Sequence, residues 1–331
     1  MTKNNSSTSD KNSSDTTSSE QSTKGIVLLV IGTLLFACQD AITKHLTQTL
    51  EVAQIINVRF FFFSLFAIAF AMRKNGLKAA FNSSAPKLQI FRGLLICCEI
   101  ALFAYTLRYI GLAELHTIFA CFPLIVTLLS VPILGEAVGW RRGLAVFVGF
   151  VGTIIIIDPG IDLGVESAID PGAGIFSPFA LMGLSCAFMF ALYNLITRKV
   201  SKVDSFETSL LYFGVVGFLA SLLVIPFYWQ TPNQDEIFWL LIISVTGIMG
   251  HILLIKALQL APAVILQPFN YFVLLWATGI GYVVYDEILP VQTLAGAALV
   301  VASGVFIGYR EYRLYQRERR AKVGTASSSS R

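Results

Sequence analysis

Three ionisable side chains, Asp40, Arg59 and Glu99, lie within long apolar stretches of the sequence. A charged group among apolar side chains is costly unless it pairs with an opposite charge or contacts water. The three are therefore candidates for binding an anion, a cation or a proton, and an ion pair between Asp40 and Arg59 is the structural alternative. Lys44 follows Asp40 by one helical turn. Arg92 lies two helical turns before Glu99 on the same helix face, and we predict that this face lines a central cavity.

Uncharged polar and aromatic side chains supply a second group of candidates, because amides can hydrogen-bond the edge of a flat ring and aromatic faces can stack on it. His116 belongs to this group, although a buried histidine that only packs explains it equally well. Aromatic residues near helix ends are also ordinary anchors at the membrane surface. The remaining candidates are Asn194, Gln267, Asn270 and Tyr271.

Two prolines are the candidate hinges. Pro123 and Pro268 each lie within an apolar stretch, where a proline removes one backbone hydrogen bond and permits a bend. Membrane helices tolerate such a break where it lines a cavity. We therefore expect both prolines to lie beside the same central space.

The elements that position these residues are predicted to be membrane helices. The chain has 331 residues, of which 55% are hydrophobic and 13% charged, and its mean hydropathy is +0.72. A soluble domain carries about 25% charged residues. Ten apolar stretches each have about the 20 residues needed to cross a hydrocarbon core of about 30 Å. We predict an all-α integral membrane protein whose ten transmembrane helices, spans 1 to 10, cover residues 25–46, 52–72, 88–108, 112–133, 139–157, 176–197, 207–228, 237–256, 262–283 and 291–309.

The distribution of charge predicts an orientation. Twenty of the 24 Lys and Arg residues fall in the termini and in the loops on one side, so both termini are predicted to be cytoplasmic. Residues 1–24 are rich in Ser, Thr and Asn, which predicts a disordered tail. Residues 310–331 are first basic and then Ser-rich, which predicts a tail that touches lipid headgroups. The acidic loop 158–175 is predicted to lie outside, and the net charge of +4 does not indicate nucleic-acid binding.

The sequence repeats itself with a shift of 151 residues. Each half, 25–157 and 176–309, contains five predicted spans, and an odd number inverts the second half relative to the first. Inverted repeats build many secondary transporters, whose substrate site lies at the repeat interface. The shift aligns Gly32 with Gly183, Leu107 with Leu258, His116 with Gln267, and Glu136 with Glu287. We predict that the two aligned glutamates, Glu136 and Glu287, cap helices.

Spans 5 and 10 carry small residues at four-residue spacing, Ala145 with Gly149 and Gly304 with Gly308. Small residues let membrane helices approach closely. These two spans are therefore predicted to be scaffold helices or the contact of a homodimer, rather than walls of a cavity.

Several short segments resemble the signature of the drug/metabolite transporter superfamily, and within it the EamA-type ten-span proteins. They are residues 107–113, 122–124 and 134–136 in the first half, and 257–263 and 286–287 in the second. The resemblance covers residues 25–309. It implies transport of a small organic solute by alternating access around a cavity lined by both halves. The first half is similar to the branch that takes up riboflavin or S-adenosylmethionine.

The expected protein is thus a bacterial inner-membrane transporter with no catalytic residue, metal or cofactor. The sequence contains no phosphate-binding loop for ATP and no protease or lipase motif. Its five cysteines lie in apolar stretches without a Cys-x-x-Cys pair. Two alternatives stay open: an amino-acid or metabolite exporter of the same family, and an integral-membrane transferase that modifies lipid.

Overall fold

A computed structural model describes residues 6–74, 76–134, 140–157, 177–260 and 266–328. Within these ranges the regular structure is entirely helical. Short 3₁₀ helices cover Ile225–Phe227 and Gln267–Tyr271. The α-helices are α1 Ser6–Leu46, α2 Val52–Lys74, α3 Leu77–Phe81, α4 Pro86–Thr106, α5 Leu112–Phe119, α6 Phe122–Leu134, α7 Trp140–Ile157, α8 Pro178–Val200, α9 Phe206–Leu222, α10 Gln234–Leu260, α11 Phe272–Tyr285 and α12 Val291–Ser328.

Eight helical segments of the described chain are long and apolar enough to cross a membrane. They correspond to spans 1 to 4, 6 to 8 and 10. Span 5 is represented by a shorter apolar helix, Gly143–Ile156, and span 9 by the 3₁₀ helix Gln267–Tyr271 followed by α11. The prediction of an all-α membrane fold is confirmed, whereas the count of ten spans stays a prediction.

The terminal helices extend beyond the predicted spans. Helix α1 begins at Ser6, but its membrane-crossing part is Thr23–Leu46, and α12 continues to Ser328. Disorder of residues 1–24 and contact of the basic tail with lipid stay predictions. The acidic loop 158–175 lies outside the described residues.

The helices pack in a pattern that is unchanged when the two halves are exchanged. Helix α1 contacts α10 and α11, and its counterpart α8 contacts α4 and α6. Helix α4 also contacts α9, and its counterpart α10 contacts α2, while two further large contacts join counterparts directly, α2 with α9 and α7 with α12. This is the packing expected of two five-helix repeats, and it places α1, α4, α8 and α10 around the middle of the molecule.

Spans 4 and 9 are both interrupted. Residues 120–121 separate α5 from α6, and Pro123 follows as the second residue of α6. Pro268 lies in the 3₁₀ helix that precedes α11. The two prolines thus stand next to breaks in corresponding helices, as their chemistry predicts, and their function as hinges stays a prediction.

Gly304 and Gly308 of span 10 pack against Tyr271 and Pro268 of span 9, whereas other small residues of spans 5 and 10 contact each other. A methyl group added to Gly152 would lie 2.7 Å from the carbonyl oxygen of Gly296, so the backbones of α7 and α12 approach closely there. The Ser303 hydroxyl donates a hydrogen bond to the Ala145 carbonyl. Close packing of small residues is therefore used between the halves; a homodimer stays a prediction.

Candidate functional site

A cavity of about 160 Å³ lies between helices of both halves. Its walls come from α1, α2, α4 to α6, α8, α10, α11 and the residues just before α11. Six of the residues that the sequence singles out line it together, although they are spread over more than 200 positions of the chain. These six are Asp40, Arg59, Glu99, His116, Asn194 and Asn270.

Two charged side chains of the cavity, Arg59 and Glu99, have no close partner among the residues that the structure describes. Glu99 is 4% exposed, and Arg59 is in electrostatic range of both Asp40 and Glu99. Within the described ranges, neither Arg59 nor Glu99 forms a hydrogen bond or an ion pair shorter than 4 Å. The guanidinium and the carboxylate are therefore available to a solute that carries the opposite charges.

Asp40 lies beside His116. Its Oδ2 atom is 3.2 Å from Nε2 of His116, although the contact lacks hydrogen-bond geometry. The structural alternative, a close ion pair of Asp40 with Arg59, is not seen among the described residues, where the two groups are only in electrostatic range. Asp40 and His116 instead bring α1 and α5 together at the cavity.

Three further residues that the sequence assigns to the cavity are not seen there. Tyr271 does not line the cavity: its ring packs against Gly304 of α12, and its hydroxyl has no partner among the described groups. The side chain of Gln267 lies outside the described residues. Arg92 does not share the cavity with Glu99, because its guanidinium reaches acceptors at the ends of α8 and α9.

The contacts of Arg92 explain that correction. Its Nη2 donates to the Ser209 carbonyl at 2.6 Å and its Nη1 to the Thr197 hydroxyl at 3.4 Å. The guanidinium also lies over the Tyr193 ring, 5.6 Å from its centroid. Arg92 is thus a buried cation that joins α4, α8 and α9.

Aromatic rings form one wall of the cavity. Phe119 lies 5.2 Å from Phe122 and 5.3 Å from Phe190, centroid to centroid, and Phe103 and Tyr193 extend the same wall. Ring faces in such a wall offer apolar area and stacking to a flat solute. The sequence does not single out these phenylalanines, because phenylalanine occurs in every predicted span.

Two polar residues of the cavity were missed by sequence reasoning. Gln39 is 4% exposed, and its Oε1 atom has no hydrogen-bond partner in the described structure. His251, a lone histidine in the predicted span 8, lines the cavity among the rings of Phe36, Phe63 and Phe213. For Gln39, an amide next to Asp40 inside an apolar span was the available signal.

A closely paired group of charges lies at the C-terminal end of α1, just after α11 and in the first turn of α5. It consists of Lys44, Glu287 and that first turn, and it is called the outer cluster because the sequence predicts this side to face outward. Lys44 Nζ lies 2.5 Å from Glu287 Oε1 and also donates to the Ile110 carbonyl at 3.3 Å. The amides of Leu112 and Ala113 donate to the Glu287 carboxylate at 2.8 and 2.9 Å. Every strong donor here meets an acceptor.

The outer cluster lowers the pKa of Glu287. Partial burial alone would raise it, but the hydrogen bond from Lys44 and those from the two α5 amides favour the charged carboxylate. The predicted capping role is thus seen for Glu287, with one difference: it caps α5 of the opposite half. Glu136 lies outside the described residues.

Glycines make room for this carboxylate. A methyl group on Gly281 would lie 2.7 Å from Glu287 Oε2, and one on Gly111 would lie 3.0 Å from it. Helix α11 ends with Asp286 in the left-handed region, φ 54°, and the Glu287 amide then donates to the Gly281 carbonyl at 3.0 Å. This turn directs the Glu287 side chain toward α5.

The outer cluster separates two spaces. Lys44, Ile110 and Gly111 line an open vestibule of about 630 Å³ at the ends of the helices. Two residues one helical turn deeper line the cavity: Asp40, one turn before Lys44 in α1, and His116, one turn after Leu112 in α5. Passage between vestibule and cavity along these two helices therefore requires the outer cluster to move.

Comparison with known proteins supports a transporter. The EamA-like transporter family matches residues 23–158 and 177–309. A relative named S-adenosylmethionine uptake transporter, from Rickettsia conorii, is 27% identical over 89% of this chain and 95% of its own. A relative named riboflavin transporter, from Vibrio cholerae serotype O1, is 30% identical over 74% of this chain and 78% of its own.

A solved crystal structure covers 89% of this chain and 99% of its own at a TM-score of 0.61 and 16% identity, which shows the fold. Together with the apolar helices, the bacterial relatives indicate a multi-pass inner-membrane protein that transports a small-molecule solute. Both the family model and the relatives extend through the two halves that form the cavity. The chain belongs to the EamA-like transporter family, within the drug/metabolite transporter superfamily.

Proposed function

We propose that this chain takes up a small zwitterionic metabolite with a planar ring, of the S-adenosylmethionine type, by alternating access. The observation that carries the proposal is the pair of cavity charges without close partners, Arg59 and Glu99. Burying unpaired charges is costly. A solute that brings a carboxylate to Arg59 and a cation to Glu99 recovers that free energy on binding, and this selects solutes that carry both charges.

The two charges favour S-adenosylmethionine over riboflavin. S-adenosylmethionine has a carboxylate for a guanidinium, which binds carboxylates in bidentate fashion, and ammonium and sulfonium groups for Asp40 and Glu99. Riboflavin is uncharged at neutral pH. It would stack on the aromatic wall but leave the cavity charges Arg59 and Glu99 without an oppositely charged group.

The dimensions support an alternating mechanism. Sites for drug-sized ligands occupy about 300–1,000 Å³, whereas the cavity has about 160 Å³. Solute binding must therefore widen it. The breaks beside Pro123 and Pro268 lie in helices that line it, so bending there changes its size without unfolding a helix.

We further propose that both termini are cytoplasmic, so the outer cluster faces the outside and its opening admits the solute. The basic residues support this orientation. The transferase alternative is less well supported, because the candidate side chains meet in a central cavity rather than at one membrane surface. Export by the same cavity differs only in direction.

The test is binding followed by transport. Purified protein in detergent is melted with S-adenosylmethionine or riboflavin; a ligand at about 100 times its Kd adds about 2.7 kcal/mol to stability. Vesicles containing the protein, and protein-free vesicles, are then loaded with unlabelled solute and given labelled solute outside. We expect stabilisation and exchange with S-adenosylmethionine. Stabilisation by riboflavin alone, or entry of label no faster than into protein-free vesicles, would contradict the proposal.

A further inference from the structure

Three polar groups of the cavity converge on one turn of α10, at Gly247. A methyl group on Gly247 would lie 2.6 Å from Gln39 Oε1 and 4.0 Å from a terminal nitrogen of Arg59. His251 lies one turn further along α10, and its Nδ1 is 3.0 Å from the Gly247 carbonyl oxygen. Gln39, Arg59 and His251 also line the cavity together.

The carbonyl fixes the chemistry of His251. A carbonyl oxygen only accepts hydrogen bonds, so Nδ1 carries the proton, and Nε2 of the neutral ring is an acceptor. Edge contacts with Phe36 and Phe63, at centroid distances of 5.2 and 5.5 Å, hold the ring in place. His251 therefore offers the cavity one oriented acceptor.

Gln39 offers a second acceptor. Its side chain is nearly fully buried, and its Oε1 atom, which lies against Gly247 of α10, has no hydrogen-bond partner in the described structure. Leaving a buried amide unpaired costs about 1–3 kcal/mol. A ligand group at this position would satisfy it, which no protein group in the described ranges does.

We propose that Gln39 and His251 bind the primary ammonium of an α-amino acid head group whose carboxylate is held by Arg59. This deepens the proposed function and rests on it. An ammonium has three donors and no acceptor, so the acceptors of Gln39 and His251, completed by a cavity carboxylate, match it. The neighbouring guanidinium matches the carboxylate one carbon away. The planar part of the solute is then left to the aromatic wall.

Two ligands separate this inference from the proposed function. Binding to the full-length protein in detergent is measured for S-adenosylmethionine and for its analogue with hydrogen in place of the α-ammonium. The wild type should bind S-adenosylmethionine at least about tenfold more tightly, which is the size of effect expected for paired hydrogen bonds in a dry site. Equal affinities would overturn the inference and leave the proposed function standing. Binding of neither ligand would overturn both.

Two variants locate the effect. In His251→Phe and in Gln39→Met, which keep shape and volume, the ratio of affinities should fall toward one, while the desamino analogue binds as before. Its unchanged binding also shows that the variant is folded. His45→Phe, at an exposed histidine on the outer end of α1, is the control and should keep the wild-type ratio. A full ratio in both cavity variants would overturn the inference.

Discussion

The outer cluster and the cavity treat charge in opposite ways, although they lie one helical turn apart. In the outer cluster Glu287 accepts hydrogen bonds from Lys44 and from two backbone amides. In the cavity Arg59 and Glu99 meet no partner at hydrogen-bond distance among the described residues. Paired charges stabilise the closed arrangement of helices. Charges without a partner destabilise the empty cavity, and a solute that pairs with them gains binding free energy. Mutations in the cavity should therefore lower solute affinity without lowering stability, whereas mutations in the outer cluster should lower stability with little effect on affinity.

Arg59→Gln should give the largest effect and the clearest contrast. We expect the affinity for S-adenosylmethionine to fall about a hundredfold or more, since a buried charge partner of the solute is removed. The free energy of unfolding should stay the same or rise, because an unpaired buried charge is gone. Titration and thermal melting measure the two quantities. Arg73→Gln, an exposed cation at the end of the same helix, is the control, and a loss of stability in Arg59→Gln alone would contradict the comparison.

Glu287→Gln should show the reverse pattern. Losing one partner of a mostly buried pair should destabilise the protein by about 2 kcal/mol, measured by thermal melting without ligand, while solute affinity changes little. Lys44→Met in the same chain should recover part of the loss, because the unpaired ammonium is then removed. Additive losses in the double variant would mean that the two side chains do not interact.

Protonation of Glu287 at acid pH should lower the stability of the protein, as Glu287→Gln does. The pKa of Glu287 is lower in the folded protein than its ordinary value of about 4.5, so its contribution is fully present above that value. It is lost as the pH falls through the depressed folded pKa. We expect the melting temperature of the wild type to fall over this acid range by more than that of Glu287→Gln. Parallel curves for the two proteins would exclude Glu287 as the titrating group.

Gly281→Ala tests the space that the carboxylate needs. The added methyl would lie 2.7 Å from Glu287 Oε2, and such overpacking costs about 1–3 kcal/mol. Gly279→Ala, in the same helix α11, has no heavy atom within 4 Å of the added methyl, and should be neutral. Equal melting temperatures of the two variants would show that the carboxylate moves aside at no cost.

Tyr271→Phe should have the smallest effect. The hydroxyl is buried against α12 without a described partner, so its removal should leave stability the same or slightly higher and transport unchanged. Uptake measured in vesicles checks this. A marked loss of uptake would return Tyr271 to the cavity-lining residues that the sequence predicts.

The sequence identified charges more reliably than partners. Asp40, Arg59 and Glu99 were predictable because a charge within an apolar span is a local signal. Their contacts were not, because a partner depends on the rotation of each helix about its axis. Asp40 thus lies beside His116 rather than Arg59. Arg92 contacts α8 and α9 rather than sharing the cavity with Glu99.

For the fold too, the sequence predicts local features but not the contacts between helices. Hydropathy and the repeat predict helices and two halves, since both depend on length and composition. They do not predict that His251 would lie in a cage of phenylalanines and still line the cavity. Phenylalanine occurs 26 times in the chain, so its pattern alone does not single out the rings that meet.

The capping of α5 by Glu287 also has a consequence for biogenesis. The amides of Leu112 and Ala113 precede their acceptor by 175 and 174 positions, so the ribosome must complete most of the second half before the carboxylate reaches them. Until then the start of α5 has exposed donors at a helix terminus. A nascent chain that stops before Glu287 keeps this defect permanently, which gives membrane quality control a way to distinguish a truncated product from a finished one.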